Sequence, residues 1–392
     1  MKERILKMKK KILLMLCLMM TLTMASCSNS QKTDDTADAD TQAAEPVYEV
    51  LQDRVIEVTY EEYDFDKGAE YLADKYDNFD LGGCSAVKVL LDGKVYIGRN
   101  YDFYCSNSPA FIVRNNAGTI RTIGIGNSSL SLGEWTEDYE LPDAVKDALP
   151  YLCCDVMSEA GIYAETNIRI GEEGMECVST NSGAPRRCTQ AFMQIMLSQY
   201  STIEEIIAHI DDYDWFDLSA MGFNQAFMLC DQNGYSVVIE FAENSWKCTE
   251  CDEHANYFID EEYYAKENYP LGEMRIEKEL EYKPNIQTPD DIFTMMETAS
   301  YARFYKADTD PDYAIGEYLK ELGYTRFNID ENREEARAKV KEMLEYYDAF
   351  SWDEQVANSC WESTFITVAD VTDLKLTVHF SEHYGITFET GF

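Results

Sequence analysis

One stretch of the sequence decides the fold: Gly82-Gly83-Cys84-Ser85-Ala86-Val87-Lys88-Val89-Leu90-Leu91-Asp92-Gly93-Lys94-Val95-Tyr96-Ile97-Gly98-Arg99-Asn100-Tyr101-Asp102-Phe103. The Asp92-Gly93 pair separates two runs rich in apolar and β-branched residues, which predicts a β-hairpin with a two-residue turn. Continued along both strands, the register of such a turn places Cys84 opposite Tyr101 and Ala86 opposite Arg99.

This register brings a thiol and a guanidinium together. Side chains on one face of a strand repeat every two residues, so Cys84 and Arg99 are predicted to share a face as diagonal neighbours. A guanidinium beside a thiol favours the thiolate, which is the nucleophilic form. Asp102 follows Arg99 by three residues, so strict alternation puts it on the other face. A bulge, or the end of pairing near Asn100, would be needed to turn Asp102 inward.

Two further hairpins and several helices are predicted outside this stretch. The hairpins turn at Asn233-Gly234 and Thr372-Asp373, between Phe227–Asp231 and Tyr235–Phe241, and between Phe365–Val371 and Lys375–Phe380. Helical periodicity covers Cys188–Gln199, Ile203–Ile210 with a capping box at Ser201 and Glu204, Asp290–Phe304, Tyr313–Leu322 and Glu331–Phe350. Hairpins with helices between them predict a layered α+β domain with antiparallel sheets.

The first hairpin also carries a family resemblance. A Cys that opens a strand, followed about 15 residues later by Gly98-Arg99-Asn100-Tyr101-Asp102-Phe103, resembles the choloylglycine hydrolase/penicillin V acylase family of N-terminal-nucleophile amidases. Shorter segments agree in order: Gly161–Asn167, Ala255–Phe258, Gly272–Arg275 and Glu362–Val368. The resemblance implies a four-layer αββα sandwich, with two antiparallel sheets between helix layers, and an amidase domain over residues 84–392.

The resemblance also implies a mechanism. Cleavage between Gly83 and Cys84 would make Cys84 the first residue, and its α-amine would then act as general base for its own thiol. By the family pattern, Asp102 orients that amine and Arg99 supports the thiolate or the substrate. An acyl-thioester forms, the amine product leaves, and water hydrolyses the thioester.

The remaining implied site residues are Asn167 and Asn256, as hydrogen-bond donors to the tetrahedral oxyanion, and Arg275, as a stabiliser of the charged site. The substrate would be a small-molecule N-acyl amide, and no cofactor or metal is expected. A strongly acidic domain does not steer anionic substrates by its overall field, which favours generic N-acyl amides over bile salts.

The N-terminus has the features of a bacterial lipoprotein signal over residues 1–26: a basic start, an apolar stretch, and small residues before Cys27. Lipidation at Cys27 is expected, with plain secretion as the alternative. The polar and acidic composition of residues 27–46 predicts a disordered tether. Residues 47–83 are rich in Tyr, Val and Leu and are expected to form a propeptide or small subunit. The protein is therefore expected to be exported and anchored to the outside of a membrane, with release by cleavage before Cys84 unless residues 47–83 stay bound.

Charge and composition narrow the function classes. The chain has 392 residues, with 33 Lys and Arg against 73 Asp and Glu, for a formal net charge of −40. Phosphate contacts need Lys and Arg clusters, so this charge argues against binding nucleic acid and against adsorption of the folded domain to anionic lipid. The 45% of hydrophobic residues suffices for a core and argues against disorder as the main state. Whether the chain forms a homo-oligomer is open.

Several alternatives remain open at this stage. Cys84 alone is typical of a core cysteine at a strand start, and the lipoprotein features suit a non-enzymatic solute-binding or surface-interaction protein equally well. An acyltransferase on the same fold would use an amine in place of water. A Cys-x-x-Cys at residues 248–251, with His254 nearby, is a weak zinc signal. A papain-like enzyme would need a different motif around its Cys.

Overall fold

The computed structural model describes residues 47–52, 55–63, 83–103, 110–127, 148–170, 174–217, 223–266, 273–298, 362–380 and 387–392. The predicted signal peptide, the lipidation site Cys27, the tether, and the helices at Tyr313–Leu322 and Glu331–Phe350 lie outside these residues. Within the described ranges, no helix is both long enough and apolar enough to span a bilayer.

The strands, in chain order, are β1 (Val47–Gln52), β2 (Val55–Tyr60), β3 (Gly83–Leu91), β4 (Lys94–Phe103), β5 (Ala110–Asn115), β6 (Thr122–Asn127), β7 (Cys153–Ser158), β8 (Ile162–Ile170), β9 (Arg186–Cys188), β10 (Asp214–Phe216), β11 (Phe223–Asp231), β12 (Ser236–Ala242), β13 (Ser245–Glu250), β14 (Glu253–Ala255), β15 (Glu362–Asp370), β16 (Lys375–Phe380) and β17 (Thr387–Gly391). The α-helices are α1 (Phe192–Leu197), α2 (Ile203–Ala208), α3 (Glu261–Tyr264), α4 (Glu273–Tyr282) and α5 (Pro289–Thr298).

Most strands belong to two large sheets. The larger has nine strands in the order β1-β2-β5-β6-β7-β8-β11-β12-β13, antiparallel except where β2 runs parallel to β5. The smaller has six strands, in the order β14-β3-β4-β15-β16-β17, and is antiparallel throughout. The three predicted hairpins are confirmed as β3–β4, β11–β12 and β15–β16.

The first hairpin has the predicted register, with Cys84 opposite Tyr101 and Ala86 opposite Arg99. Its turn needs a left-handed backbone at both central residues, and Asp92 and Gly93 adopt φ values of 52° and 79°. Asp and Gly are the residues that tolerate this conformation, so the turn chemistry fixes the register of both strands.

Three hydrophobic clusters show a four-layer αββα arrangement. The middle cluster joins the facing sides of the two sheets, with Ile97 from the smaller and Ile112 from the larger. An outer cluster packs Phe192 of α1 against Phe227 on the far side of the larger sheet. The other outer cluster packs α4 and α5 on the far side of the smaller sheet. The structure therefore confirms the expected α+β sandwich.

Close packing of α5 depends on a glycine in β4. A Cβ atom placed on Gly98 would lie 2.5 Å from Cγ2 of Ile292 and 3.0 Å from Sδ of Met296. No other residue type allows this helix to approach the sheet so closely.

The predicted helix starts are approximately right, with one correction. The N-cap of α2 is Thr202, whose side chain accepts a hydrogen bond from the Glu205 N–H, and Glu205 in turn accepts from the Ser201 N–H at 2.9 Å. The capping box therefore lies one residue later than the predicted Ser201 and Glu204 pair. Between Cys188 and Gln199, a 3-10 turn precedes a short α1.

Candidate active site

Cys84 lies at the start of β3, on the side facing the larger sheet, with 6% of its surface exposed. Its backbone N–H donates to Oδ1 of Asn256 at 2.5 Å. Strand β14 pairs with β3 and ends at Ala255, which lies opposite Ser85. The next residue, Asn256, therefore lies directly beside Cys84. The Asn256 side chain is held from its other end, where Nδ2 donates to the carbonyl of Ile168 at 3.0 Å.

Arg99 lies on the same face as Cys84, as the alternation predicts. Its guanidinium is fully buried, and Nη2 lies 3.5 Å from the Cys84 Sγ. The same nitrogen donates to the carbonyl oxygen of Thr166 in β8 at 3.1 Å. Arg99 also lies over the Tyr101 ring, 4.8 Å from its centroid. Contacts with both sheets therefore fix the guanidinium against the sulfur.

Two buried carboxylates, which the sequence reasoning missed, surround Arg99. Its Nε lies 3.5 Å from a carboxylate oxygen of Asp155 and 3.5 Å from one of Glu165. Asp155 also accepts a hydrogen bond from the hydroxyl of Tyr163 and one from Thr367, at 3.2 Å. Burial by itself opposes the charged guanidinium, but Asp155 and the other acidic groups around it outweigh that effect and raise the pKa of Arg99. Arg99 therefore stays a cation.

A sequence signal for these carboxylates exists. Asp155 is the one charged residue of the strand Cys153–Ser158, where it stands between apolar neighbours, and Glu165 lies within the Gly161–Asn167 segment. An isolated acid in a buried strand needs a cationic partner. Identifying that partner as Arg99 requires knowing that the two sheets face each other.

Glu165 belongs to a second buried chain of contacts through His254. Nε2 of His254 faces Nη2 of Arg169, which can only donate, so Nε2 is the acceptor and the ring proton is on Nδ1. That proton points at Oε1 of Glu165. Burial, followed by the charges of Arg169 and Arg99, lowers the pKa of His254 well below its usual value, so the ring is neutral. Burial raises the pKa of Glu165 to about 7, although Arg99 and Arg169 act in the opposite direction.

Asn167 lies in this second chain of contacts. Its Nδ2 donates to Oε1 of Glu165 at 3.4 Å and lies 3.0 Å from Nδ1 of His254. Its Oδ1 is buried and has no hydrogen-bond partner among the residues that the structure describes. Since Asn167 follows Glu165 by two residues, it points to the same space between the sheets as Arg99.

Asp102 can be placed only by its backbone. It pairs with Gly83 in β3 and with Ser363 in β15, and its side chain lies outside the described residues. The β15 register shifts between Ser363 and Phe365, directly opposite Tyr101 and Asp102. The extra residue is Thr364 of β15, whereas β4 keeps a regular register with β3 as far as Asp102. The inward orientation of Asp102 therefore stays a prediction.

Arg275 lies elsewhere than expected. It extends from α4 and donates to Oδ1 of Asn100, which also accepts from the Ser85 N–H at 3.1 Å. The Ser85 hydroxyl donates to Glu279. Ser85 and Asn100 alternate with Cys84 and Arg99, so this cluster lies on the helix side of the smaller sheet. The expectation that Arg275 stands beside the reacting charge is thereby corrected. Arg275 contacts Asn100 on one face of the smaller sheet, whereas Cys84 and Arg99 lie on the opposite face.

No disulfide bond joins the cysteines that the structure describes, which are Cys84, Cys153, Cys154, Cys177, Cys188, Cys230, Cys248 and Cys251. Cys154 lies with Cys84 in the middle cluster between the two sheets, and burial raises the pKa of the Cys154 thiol to about 12. In the described part of the chain, no group of three or more His, Cys, Asp or Glu side chains is arranged to hold a metal ion.

No protein-family model and no curated protein sequence matches this chain. Among solved structures, two variants of conjugated bile acid hydrolase from Clostridium perfringens are similar, at 12% identity and TM-scores of 0.42 and 0.41, covering 79% of this chain and 92% of each of those chains. Penicillin V acylase from Agrobacterium tumefaciens is similar at 11% identity and a TM-score of 0.41, covering 79% of this chain and 86% of that chain.

Proposed function

We propose that this protein is a hydrolase that cleaves a linear, non-peptide amide bond of a small N-acyl substrate, with Cys84 as the nucleophile. The observation that carries this proposal is that both the sulfur and the backbone nitrogen of Cys84 are held by buried polar side chains. Its sulfur lies 3.5 Å from the buried Arg99 guanidinium, and its nitrogen donates to Asn256 at 2.5 Å. A catalytic N-terminal Cys needs both its thiol and its amine fixed in this way.

Maturation comes first. The Cys84 thiol attacks the carbonyl carbon of Gly83, the Gly83–Cys84 amide bond breaks, and a thioester forms with the new α-amine free. Water then hydrolyses the thioester, which leaves a carboxylate on Gly83 and restores the thiol. The net reaction consumes one water. The new amine keeps the position of the peptide nitrogen, from which it donates a hydrogen bond to Oδ1 of Asn256.

Substrate turnover uses the same atoms. The α-amine takes the proton from the thiol, and the cationic Arg99 stabilises the thiolate. The thiolate attacks the substrate carbonyl, and the leaving amine receives the proton from the α-ammonium group. Water hydrolyses the acyl-thioester. Asp102, whose backbone pairs with Gly83, is the proposed orienter of the amine.

The proposed oxyanion donors are the side-chain amides of Asn256 and Asn167. Nδ2 of Asn256 carries two hydrogens and gives one to Ile168, so one is available. A donor of this kind contributes about 3–4 kcal/mol to the transition state. Asp155 and Glu165 act through Arg99, by holding its charge against the sulfur.

Localisation is proposed from the sequence alone. The basic and apolar start and the small residues before Cys27 support export and lipid anchoring on the outer side of a membrane. The net charge of −40 supports a small-molecule substrate over a nucleic-acid partner.

The test uses protein expressed from Ser28 onward, as wild type, Cys84→Ala and Cys154→Ala. Cys154 is the matched control because it is a second buried thiol of the middle cluster. Intact mass and hydrolysis of a panel of N-acyl amides are measured. Fragments starting at Cys84, together with turnover, are expected in wild type and Cys154→Ala only.

A Cys84→Ala protein that still hydrolyses the panel would refute the proposal. An uncleaved, inactive wild type would favour the non-enzymatic lipoprotein instead. Product analysis with an added amine separates hydrolysis from acyl transfer.

A further inference from the structure

The residues before the cleavage point form part of the interior of the domain. Strand β2 lies between β1 and β5, within the larger sheet. It pairs with β5 in parallel along its whole length, from Val55 opposite Ala110 to Tyr60 opposite Asn115. Both of its edges are therefore hydrogen-bonded, and its partner β5 lies on the other side of the Gly83–Cys84 bond in the sequence.

The side chains of β2 enter two cores at once. Val55 is fully buried in the cluster between the sheets, which also contains Cys84. Ile56 and Val58 are fully buried in the outer cluster, together with Phe111 of β5. Fully buried apolar side chains on both faces are typical of a central strand and not of a segment that leaves the domain.

Polar contacts continue the attachment beyond the apolar core. Glu57 forms an ion pair with Nε of Arg114 at 2.8 Å. The carbonyl of Tyr60 accepts from the Asn116 N–H, and Glu61 accepts from the Asn116 side chain, both at 2.8 Å. These contacts all cross from the N-terminal segment to the part of the chain after Cys84.

Removal of this segment would expose β5 as a new sheet edge. Phe111 and Val113 would lose their cover, and the unpaired N–H and C=O groups of β5 would face solvent or another chain. A propeptide that is released after cleavage covers a surface that is stable without it. The structure shows no such surface under β2 among the residues it describes.

We propose that the N-terminal segment stays bound after cleavage as a permanent small subunit, with β2 as an obligatory strand of the catalytic domain. This inference rests on the proposed cleavage before Cys84. The mature enzyme is then a complex of two chains, one ending at Gly83 and one starting at Cys84, held together without a covalent bond.

The first experiment examines wild-type protein expressed from Ser28. Native size-exclusion chromatography is followed by denaturing mass analysis of each fraction. Both fragments are expected in one peak at a 1:1 ratio. A small fragment that elutes apart from a folded, active large fragment would overturn the proposal.

A second arm separates this proposal from the proposed function. In a Cys84→Ala chain, a protease recognition sequence is inserted between Tyr63 and Gly83, and the purified protein is cut there. Co-elution of the two fragments supports permanent docking even where no self-cleavage takes place. Separation of the fragments, with the large one still folded, contradicts it.

A matched pair of variants tests the role of β2. Val58 is fully buried and Val47 is 64% exposed. Val58→Ala and Val47→Ala therefore remove the same apolar atoms, the first from the core and the second from the surface. In the nicked protein, Val58→Ala should lower the urea concentration at which the fragments separate by roughly 1 M, and Val47→Ala should leave it unchanged. Equal midpoints would refute a core role for β2.

Discussion

Glu165→Gln tests the buried charges around Arg99 through their pH dependence. The folded-state pKa of Glu165 is about 7, against an ordinary value of 4.5, chiefly because the side chain is fully buried. The folded state therefore holds a proton between these pH values that the unfolded state has released. For an acid with a raised pKa, the resulting stability is fully present below pH 4.5 and is lost as the pH rises through 7.

The size of this loss follows from the two pKa values. Each unit of difference corresponds to about 1.4 kcal/mol, so the shift from 4.5 to about 7 amounts to about 3 kcal/mol. Glutamine does not titrate, but it keeps an oxygen that can accept from His254. Between pH 4.5 and 8, the stability of Glu165→Gln relative to the parent should thus rise by about 3 kcal/mol.

The assay is urea unfolding at several pH values from 4.5 to 8, in a Cys84→Ala background so that the chain stays uncut. Glu62→Gln, at an exposed residue, is the control and should stay within about 0.5 kcal/mol of the parent throughout. A difference between Glu165→Gln and the parent that is flat with pH, or that falls as the pH rises, would show that Glu165 remains ionised in the folded protein.

Three further predictions concern packing and support of the site. Asp155→Asn should lower kcat by about 10- to 100-fold and slow alkylation of Cys84 at neutral pH, because Arg99 loses one of its two carboxylate neighbours; unchanged values for both would contradict this role. Gly98→Ala should destabilise the fold by about 1–3 kcal/mol, since its new Cβ lies 2.5 Å from a methyl group of α5, and an unchanged urea midpoint would contradict the close packing. Arg275→Met should cost about 3–5 kcal/mol of stability, because it leaves a buried cluster without its cation, and should leave the alkylation rate of Cys84 at low urea unchanged. A slower alkylation at full folding would place Arg275 in the reaction itself.

The part of the site that the sequence predicts is the part governed by local geometry. A two-residue turn and strand alternation suffice to bring Arg99 to Cys84, because both rules act within one hairpin. Asp155 and Glu165 come from strands of the facing sheet, and no local rule gives the stacking of two sheets. Arg275 is misplaced for a related reason, since chain order does not say which face of a sheet a helix will cover.

The same distinction holds for the segment before Cys84. Its composition predicts that it folds, and it does contain β1 and β2. Its partner β5 begins 50 residues after the end of β2, beyond the whole first hairpin. Such a non-local parallel pairing leaves no periodic signal in either strand, so the sequence could not distinguish a removable segment from a permanent one.

The parallel pairing of β2 with β5 has a consequence for assembly. Before the cut, the two strands are joined by one chain, so they meet at the high effective concentration of an intramolecular contact. After the proposed cleavage they would belong to separate molecules, and renaturation from urea would become a second-order reaction whose yield depends on dilution. A protein cut in this way would depend on slow unfolding for its lifetime more than the uncut chain does. The proposed cleavage would thus replace a unimolecular refolding equilibrium with one that depends on the concentrations of both fragments.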